Sequence, residues 1–205
     1  METATSRPEN LAARLRQAFL DHGYEQMTMS GLAEFCGFSR RALYHHFSNK
    51  EEAFRHWLDF YGRESIATGL AAGRKVMDEG GSAADVLTET MNVRDGDARR
   101  RLCRSPHALE INDQAFRRAR DIMVGAAVDF QAKISDMLVE MEGRGLIRLK
   151  PGTEPAMLAQ SLCDGARGTN QSLPPIPIDE LHLRYRQIIT AILFGTAEPP
   201  AKKSK

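Results

Sequence analysis

The stretch Thr28-Met29-Ser30-Gly31-Leu32-Ala33-Glu34-Phe35-Cys36-Gly37-Phe38-Ser39-Arg40-Arg41-Ala42-Leu43-Tyr44-His45-His46-Phe47 decides how the chain folds. Thr28 is a residue type that caps helix N-termini, and Leu32, Ala33 and Cys36 follow on one face of a 3.6-residue period. Gly37 suits the left-handed position just past a helix end. Ser39 then caps a second short helix carrying Leu43 and Phe47. Two short helices joined by a tight, glycine-containing turn have helix-turn-helix form.

Working outward, Leu11, Leu15, Ala18 and Phe19 predict a preceding helix that stops at His22-Gly23. On the other side, Ser48-Asn49-Lys50-Glu51 has the S-x-x-E spacing of a capping box and opens a longer helix through Phe54, Trp57, Leu58 and Tyr61. Leu32, Ala33, Leu43 and Phe47 can then pack inward against Leu15 and Phe19. Ser39, Arg40, Arg41, Tyr44 and His45 are left facing outward. Residues 37–50 hold Arg40, Arg41 and Lys50 and no acid, whereas residues 1–62 as a whole hold seven basic and eight acidic residues. Positive charge is therefore concentrated where a nucleic-acid groove would lie, and phosphate neutralisation supplies most non-specific affinity. Arg reads guanine O6 and N7 bidentately, and hydroxyls at helix starts are phosphate anchors.

Ala18-Phe19, Gly23-Tyr24, Met27-Thr28-Met29, Leu32-Ala33 and the run Cys36-Gly37-Phe38-Ser39-Arg40-Arg41-Ala42-Leu43-Tyr44-His45-His46-Phe47-Ser48-Asn49-Lys50-Glu51-Glu52 together resemble the N-terminal domain of TetR-family transcriptional regulators. The resemblance covers about Leu11–Phe54. It implies a bacterial-type repressor that binds double-stranded DNA as a homodimer, with a small-molecule effector held in a C-terminal helical domain. It further implies that Thr28 contacts phosphate and that Ser39, Arg40 and Arg41 open the recognition helix. Tyr44 and His45 would touch backbone or bases, and Lys50 would meet phosphate at the start of the fourth helix. Arg41 stands where the family often has Gly or Ala, and Cys36 where Ala is more usual.

The rest of the chain reads as helical. Gly62, Gly69 and Gly73 each weaken a helix locally, by about 1 kcal/mol relative to Ala. Ser82 after Gly80-Gly81 caps a helix with Val86, Leu87 and Met91, and the polar stretch Arg94–Asp97 separates it from Leu102. Phe116, Ala119, Met123, Ala126, Phe130, Ile134, Met137 and Met141 predict one long amphipathic helix ending near Gly143 or Gly145. Pro155 opens another helix, Leu173–Pro177 is a proline-rich linker, and a last helix runs from about Asp179 through Leu193.

The expected fold class is all-α. Its expected domains are a helix-turn-helix domain over residues 1–55, a helical ligand-binding and dimerisation domain over 56–198, and a disordered tail over 199–205. The helices about 154–171 and 179–194 would pair with their copies. Met91, Leu102, Phe116, Met123, Ala127 and Phe130 are the candidate lining of a mainly apolar effector pocket.

Composition excludes several classes. The 205 residues are 42% apolar and carry a net charge of +1, so the chain has a core to bury and any nucleic-acid surface must be local. No run approaches the roughly 18 apolar residues that cross a bilayer, and Met1–Asn10 has no apolar signal-peptide core. Cys36, Cys103 and Cys163 are odd in number and unpaired in spacing, which fits a reducing cytoplasm. No nucleophile elbow, P-loop, HExxH or dinucleotide turn occurs, and His107 with Glu110, or Cys163 with Asp164, stands at no catalytic spacing. No enzyme, cofactor, metal or membrane partner is therefore expected. His45 and His46 point about 100° apart on a helix and cannot share one ion. Arg94, Arg99, Arg100, Arg101 and Arg104 read first as a solvated face, with an anionic ligand or a second DNA contact as the sharper alternative. A non-catalytic all-helical interaction module would keep the bundle but would not need Arg40, Arg41, Tyr44 and Lys50 outward around a tight turn.

Overall fold

The computed structural model describes residues 8–198, with side chains over 11–195. The tail expected to be disordered, 199–205, lies outside the described residues, as does much of Met1–Asn10. The helices are α1 (Pro8–His22), α2 (Met29–Cys36), α3 (Arg40–His46), α4 (Lys50–Asp78), α5 (Ala83–Met91), α6 (Asp97–Leu102), α7 (Ala108–Arg118), α8 (Arg120–Gly143), α9 (Pro155–Asn170) and α10 (Leu181–Thr196). A π turn over Asn92–Gly96 joins α5 to α6, and a 3-10 turn over Ile178–Glu180 leads into α10. The single departure from all-α among the described residues is a two-residue antiparallel pair, β1 (Arg148–Leu149) with β2 (Ala197–Glu198), in the register Arg148 to Glu198 and Leu149 to Ala197.

Two compact units make up the chain: residues up to Glu64 with Arg101–Ala126, and Ser65–Arg100 with residues from Ala127 on. The expected boundary after residue 55 falls inside α4, and the expected C-terminal domain gives Arg101–Ala126 to the first unit. The reason is packing: Ile111 and Ala115 of α7 are buried in one cluster with Leu15, Phe19, Leu32, Leu43, Phe54 and Trp57. In the second unit the core is built from Val86, Leu87 and Met91 of α5, Phe130, Ile134 and Met137 of α8, and Leu162, Tyr185 and Ile189 of α9 and α10.

Several local expectations shift. The cap of α4 sits one residue later than the Ser48/Glu51 spacing predicts. Asn49 Oδ1 accepts from the Glu52 N–H at 2.9 Å, and the Glu52 carboxylate reaches back to the Ser48 N–H at 2.6 Å. Glu51 is thereby released for another partner. Gly69 and Gly73 do not interrupt α4, because α5 lies against them: a Cβ on Gly69 would sit 2.8 Å from the Thr90 carbonyl oxygen. The polar stretch Arg94–Asp97 is not a loop but the π turn and the start of α6.

The long periodic run from Phe116 to Met141 is two helices. Ala119, wholly buried, has left the helical region (φ −136°, ψ 27°), and the Arg55 guanidinium takes the carbonyl oxygen of Arg118. The Ser82 cap of α5 is present as expected, with Asp85 completing the reciprocal box. No helix of the described residues is long and apolar enough to cross a membrane.

Candidate nucleic-acid interface

The recognition surface follows from three caps. Thr28 Oγ1 accepts from the Gly31 N–H at 3.1 Å, which starts α2 and leaves the hydroxyl proton free to donate. Gly37 ends α2 in the left-handed region (φ 71°), and the Phe38 N–H returns to the Ala33 carbonyl at 2.8 Å. Ser39 Oγ accepts from the Ala42 N–H at 3.1 Å and starts α3.

Along α3 the fully buried side chain is Leu43, locked in the cluster with Leu15, Phe19, Leu32 and Ala33. Ser39, Arg40, Arg41, Tyr44 and His45 are all exposed. Arg40 and Arg41 have no acidic partner among the described residues. A rigid, singly anchored helix with unpaired guanidiniums, a phenol and an imidazole on its open face can present donors to phosphates and base edges.

Lys50 departs from the expected outward placement. Its ammonium donates to the carbonyl oxygen of Tyr24 at 2.6 Å and of Glu25 at 3.3 Å, and lies 4.3 Å from the Tyr24 ring centroid. Burial lowers its pKa, with Glu25 opposing and Arg118 adding to the shift. Lys50 ties the first turn of α4 to the turn between α1 and α2.

A polar network that the sequence does not announce holds the same turn from α7. Glu110 Oε1 accepts from the Glu25 N–H at 2.6 Å, and its other oxygen lies 3.3 Å from His107 Nδ1. Gln114 donates to the Glu25 carboxylate at 2.6 Å and accepts from Arg118 at 2.6 Å. Arg118 pairs with Glu51 at 2.6 Å and stacks 4.6 Å from the Tyr24 ring centroid, so two cations enclose that ring. Arg55 grips Asp121 through two bonds of 2.8 and 2.6 Å and holds its carboxyl down at about 2. Gly23 carries φ 74°, and a Cβ there would collide with Glu110 and lie 2.8 Å from His107 Nδ1. Glycine is required at that position on both counts.

The six residues expected to line an effector pocket are divided between the two units. Leu102 and Met123 pack on the core of the first unit, and Phe116, in the same unit, is half-exposed. Met91 and Phe130 are buried in the core of the second unit, where Ala127 is partly buried. Periodicity marked them as apolar and left open which core each one fills. Burial pushes the thiols of Cys36 and Cys163 up to about 11 and about 12, and Cys103 is exposed.

Residues 12–56 match the sequence model of bacterial regulatory proteins of the tetR family. The chain is 44% identical over 48 residues to the HTH-type transcriptional repressor AcnR of Corynebacterium diphtheriae, covering 23% of this chain and 25% of that one. AcnR of Corynebacterium glutamicum is 40% identical over 50 residues, covering 24% and 27%. The aligned part thus spans about a quarter of these curated relatives. The fold is shared far more widely. A TetR-family transcriptional regulator from Mesorhizobium loti superposes with a TM-score of 0.69 over 96% of this chain and 100% of the other, at 16% identity. A transcriptional regulator from Rhodococcus sp. Rha1 gives 0.61 over 93% and 98%, at 25% identity. The capped α2–turn–α3 segment lies inside the residues that are similar to bacterial regulatory proteins of the tetR family, and the helical fold of solved TetR-family regulators extends along nearly the whole length.

Proposed function

We propose that the protein is a sequence-specific DNA-binding transcriptional repressor that reads a near-palindromic operator as a homodimer and yields to a small-molecule effector. The observation that carries this reading is α3 itself: Leu43 anchors it, and Ser39, Arg40, Arg41, Tyr44 and His45 stand exposed around it with both guanidiniums unpaired among the described residues. Thr28 and the backbone N–H groups at the start of α2 supply phosphate contacts beside it. The AcnR relatives are transcriptional repressors, and their similarity to this chain falls on this reader.

The dimer would form on α9 and α10. Their outer side holds a groove of about 460 Å³ lined by Gly165, Gly168, Arg184, Gln187, Ile188 and Ala191, and Met157, Leu183 and Phe194 stand exposed on the same helices. Small residues allow close helix approach, and two-fold pairing is the commonest assembly. Two recognition helices then meet half-sites about one helical turn, ~34–36 Å, apart.

The test is selection of bound duplexes from a random pool at two salt concentrations, using purified protein. An enriched near-palindrome with steep salt dependence supports the reading. Folded protein that enriches nothing at low salt contradicts it, and a monomeric mass in light scattering contradicts the dimer.

A further inference from the structure

The arginines of the 94–104 stretch are of two kinds. Arg94 pairs with Asp95 and stacks 4.0 Å from the Phe130 ring centroid. Arg99 donates to the carbonyl oxygens of Thr169 and Ile176 at 3.0 and 2.8 Å, and Arg100 bonds Asp97 at 2.7 Å and Asn92 Oδ1 at 2.5 Å. These three are committed to the second unit. Arg101 and Arg104 belong to the first unit, are exposed, and have no acidic partner among the described residues. Unpaired guanidiniums gathered at one place are a different matter from a solvated face.

Arg101 and Arg104 gather with Arg16 of α1. The three line a pit of about 210 Å³ whose one acid is Asp21, already bonded by Gln17 at 2.7 Å. A second pit of about 230 Å³ shares Arg16 and is walled by Trp57, Phe60 and Tyr61, with Glu64 also on its lining. Tyr61 joins the two. The Arg16 and Arg101 guanidinium carbons lie 5.8 and 5.1 Å from its ring centroid. Within the charged pit three positive side chains face one negative one. A guanidinium fork without a protein carboxylate matches a ligand carboxylate bidentately, and adjoining aromatic walls accept a flat apolar body.

We propose that these adjoining pits form a binding site for a small organic carboxylate with a flat apolar skeleton. Arg16, Arg101 and Arg104 hold the carboxylate, and Tyr61 and Trp57 flank the skeleton. The site is built from α1, α4 and the 101–106 segment, three parts that share the core behind the reader. An occupant that prefers one arrangement of α1 against α4 would shift the reader's population toward it. This consequence rests on the chain being an effector-responsive DNA binder, and it gives the effector's chemistry. The binding itself is measured without DNA, so the two readings fail separately.

Trp57 is the single tryptophan of the chain, so its emission reports on the aromatic pit without a label. Benzoate and phenylacetate are the probes, benzamide the neutral isostere, with calorimetry alongside. The expected result is a saturable change with both carboxylates, about tenfold or more tighter than with benzamide. Arg101→Met with Arg104→Met should weaken the carboxylates by about tenfold or more and leave benzamide unchanged. The exposed Arg104→Met alone, checked by circular dichroism, serves if the double variant does not fold. No saturable change, equal binding of benzoate and benzamide, or undiminished benzoate binding in the folded variants would each overturn the proposal.

Discussion

The Lys50 ammonium donates to the carbonyl oxygen of Tyr24 at 2.6 Å, so the first residue of α4 closes the turn that leads into α2. A cation drawn from water to hold two carbonyls is structural, and its removal leaves those carbonyls unsatisfied. Lys50→Met is expected to lower unfolding free energy by about 1.5–3 kcal/mol, as for hydrogen bonds to charged groups. The slope of log affinity against log salt for DNA should stay unchanged. A slope lowered by about 0.9 per half-site, with stability intact, would return Lys50 to the phosphate contacts.

Gly23 and Glu110 test the contact between α7 and the same turn. Gly23→Ala forces a side chain into φ 74° and against the Glu110 carboxylate. The expected loss exceeds about 2 kcal/mol, the left-handed conformation costing roughly 1–2 kcal/mol before any clash. Glu110→Ala relieves the clash, so the double variant should be less destabilised than the sum of the single ones. Strict additivity in urea denaturation would sever the two residues energetically.

The Arg55–Asp121 pair gives a pH signature. Asp121 is held at about 2, by its hydrogen bonds to Arg55 first. Its unfolded value is about 3.9, so the pair's stabilisation is complete above that pH and is lost as pH falls through about 2. Asp121→Asn should therefore flatten the loss of stability between about pH 5 and pH 2. Denaturation midpoints that fall equally steeply in both proteins would rule the pair out as a contributor.

The three thiols should react unequally. Cys103 is exposed, whereas burial raises Cys36 to about 11 and Cys163 to about 12. A thiol-exchange reagent near neutral pH is expected to titrate one thiol in the folded protein and all three in denaturant. Rapid reaction of two or three in the native state would contradict the burial of α2 against α1 or of α9 in its core.

What was legible in the sequence was local. Thr28, Gly37, Ser39 and the spacing of Leu32, Ala33 and Leu43 dictate caps and one inward face within a few residues, and the structure keeps each of them. The departures have long-range causes. Glu51 carries the right spacing for a box with Ser48, yet Arg118, 67 residues away, pairs with it while Asn49 and Glu52 cap the helix. Ala119 continues an apolar period, but Arg55 takes the carbonyl of Arg118 and the helix restarts at Arg120. The contact of Glu110 with Glu25 spans 85 positions and leaves no periodic trace. Apolar periodicity likewise could not assign Leu102 and Met123 to one core and Met91 to another.

The central claim is that α3 reads sequence through Arg40 and Arg41, and the direct measurement repeats the duplex selection with Arg40→Ala and Arg41→Ala beside the unaltered protein. Each arginine that is bidentate to guanine should cost about 1–3 kcal/mol in affinity for the selected near-palindrome and relax preference at one position per half-site. Two folded variants that enrich the same motif with the same affinity would contradict the account.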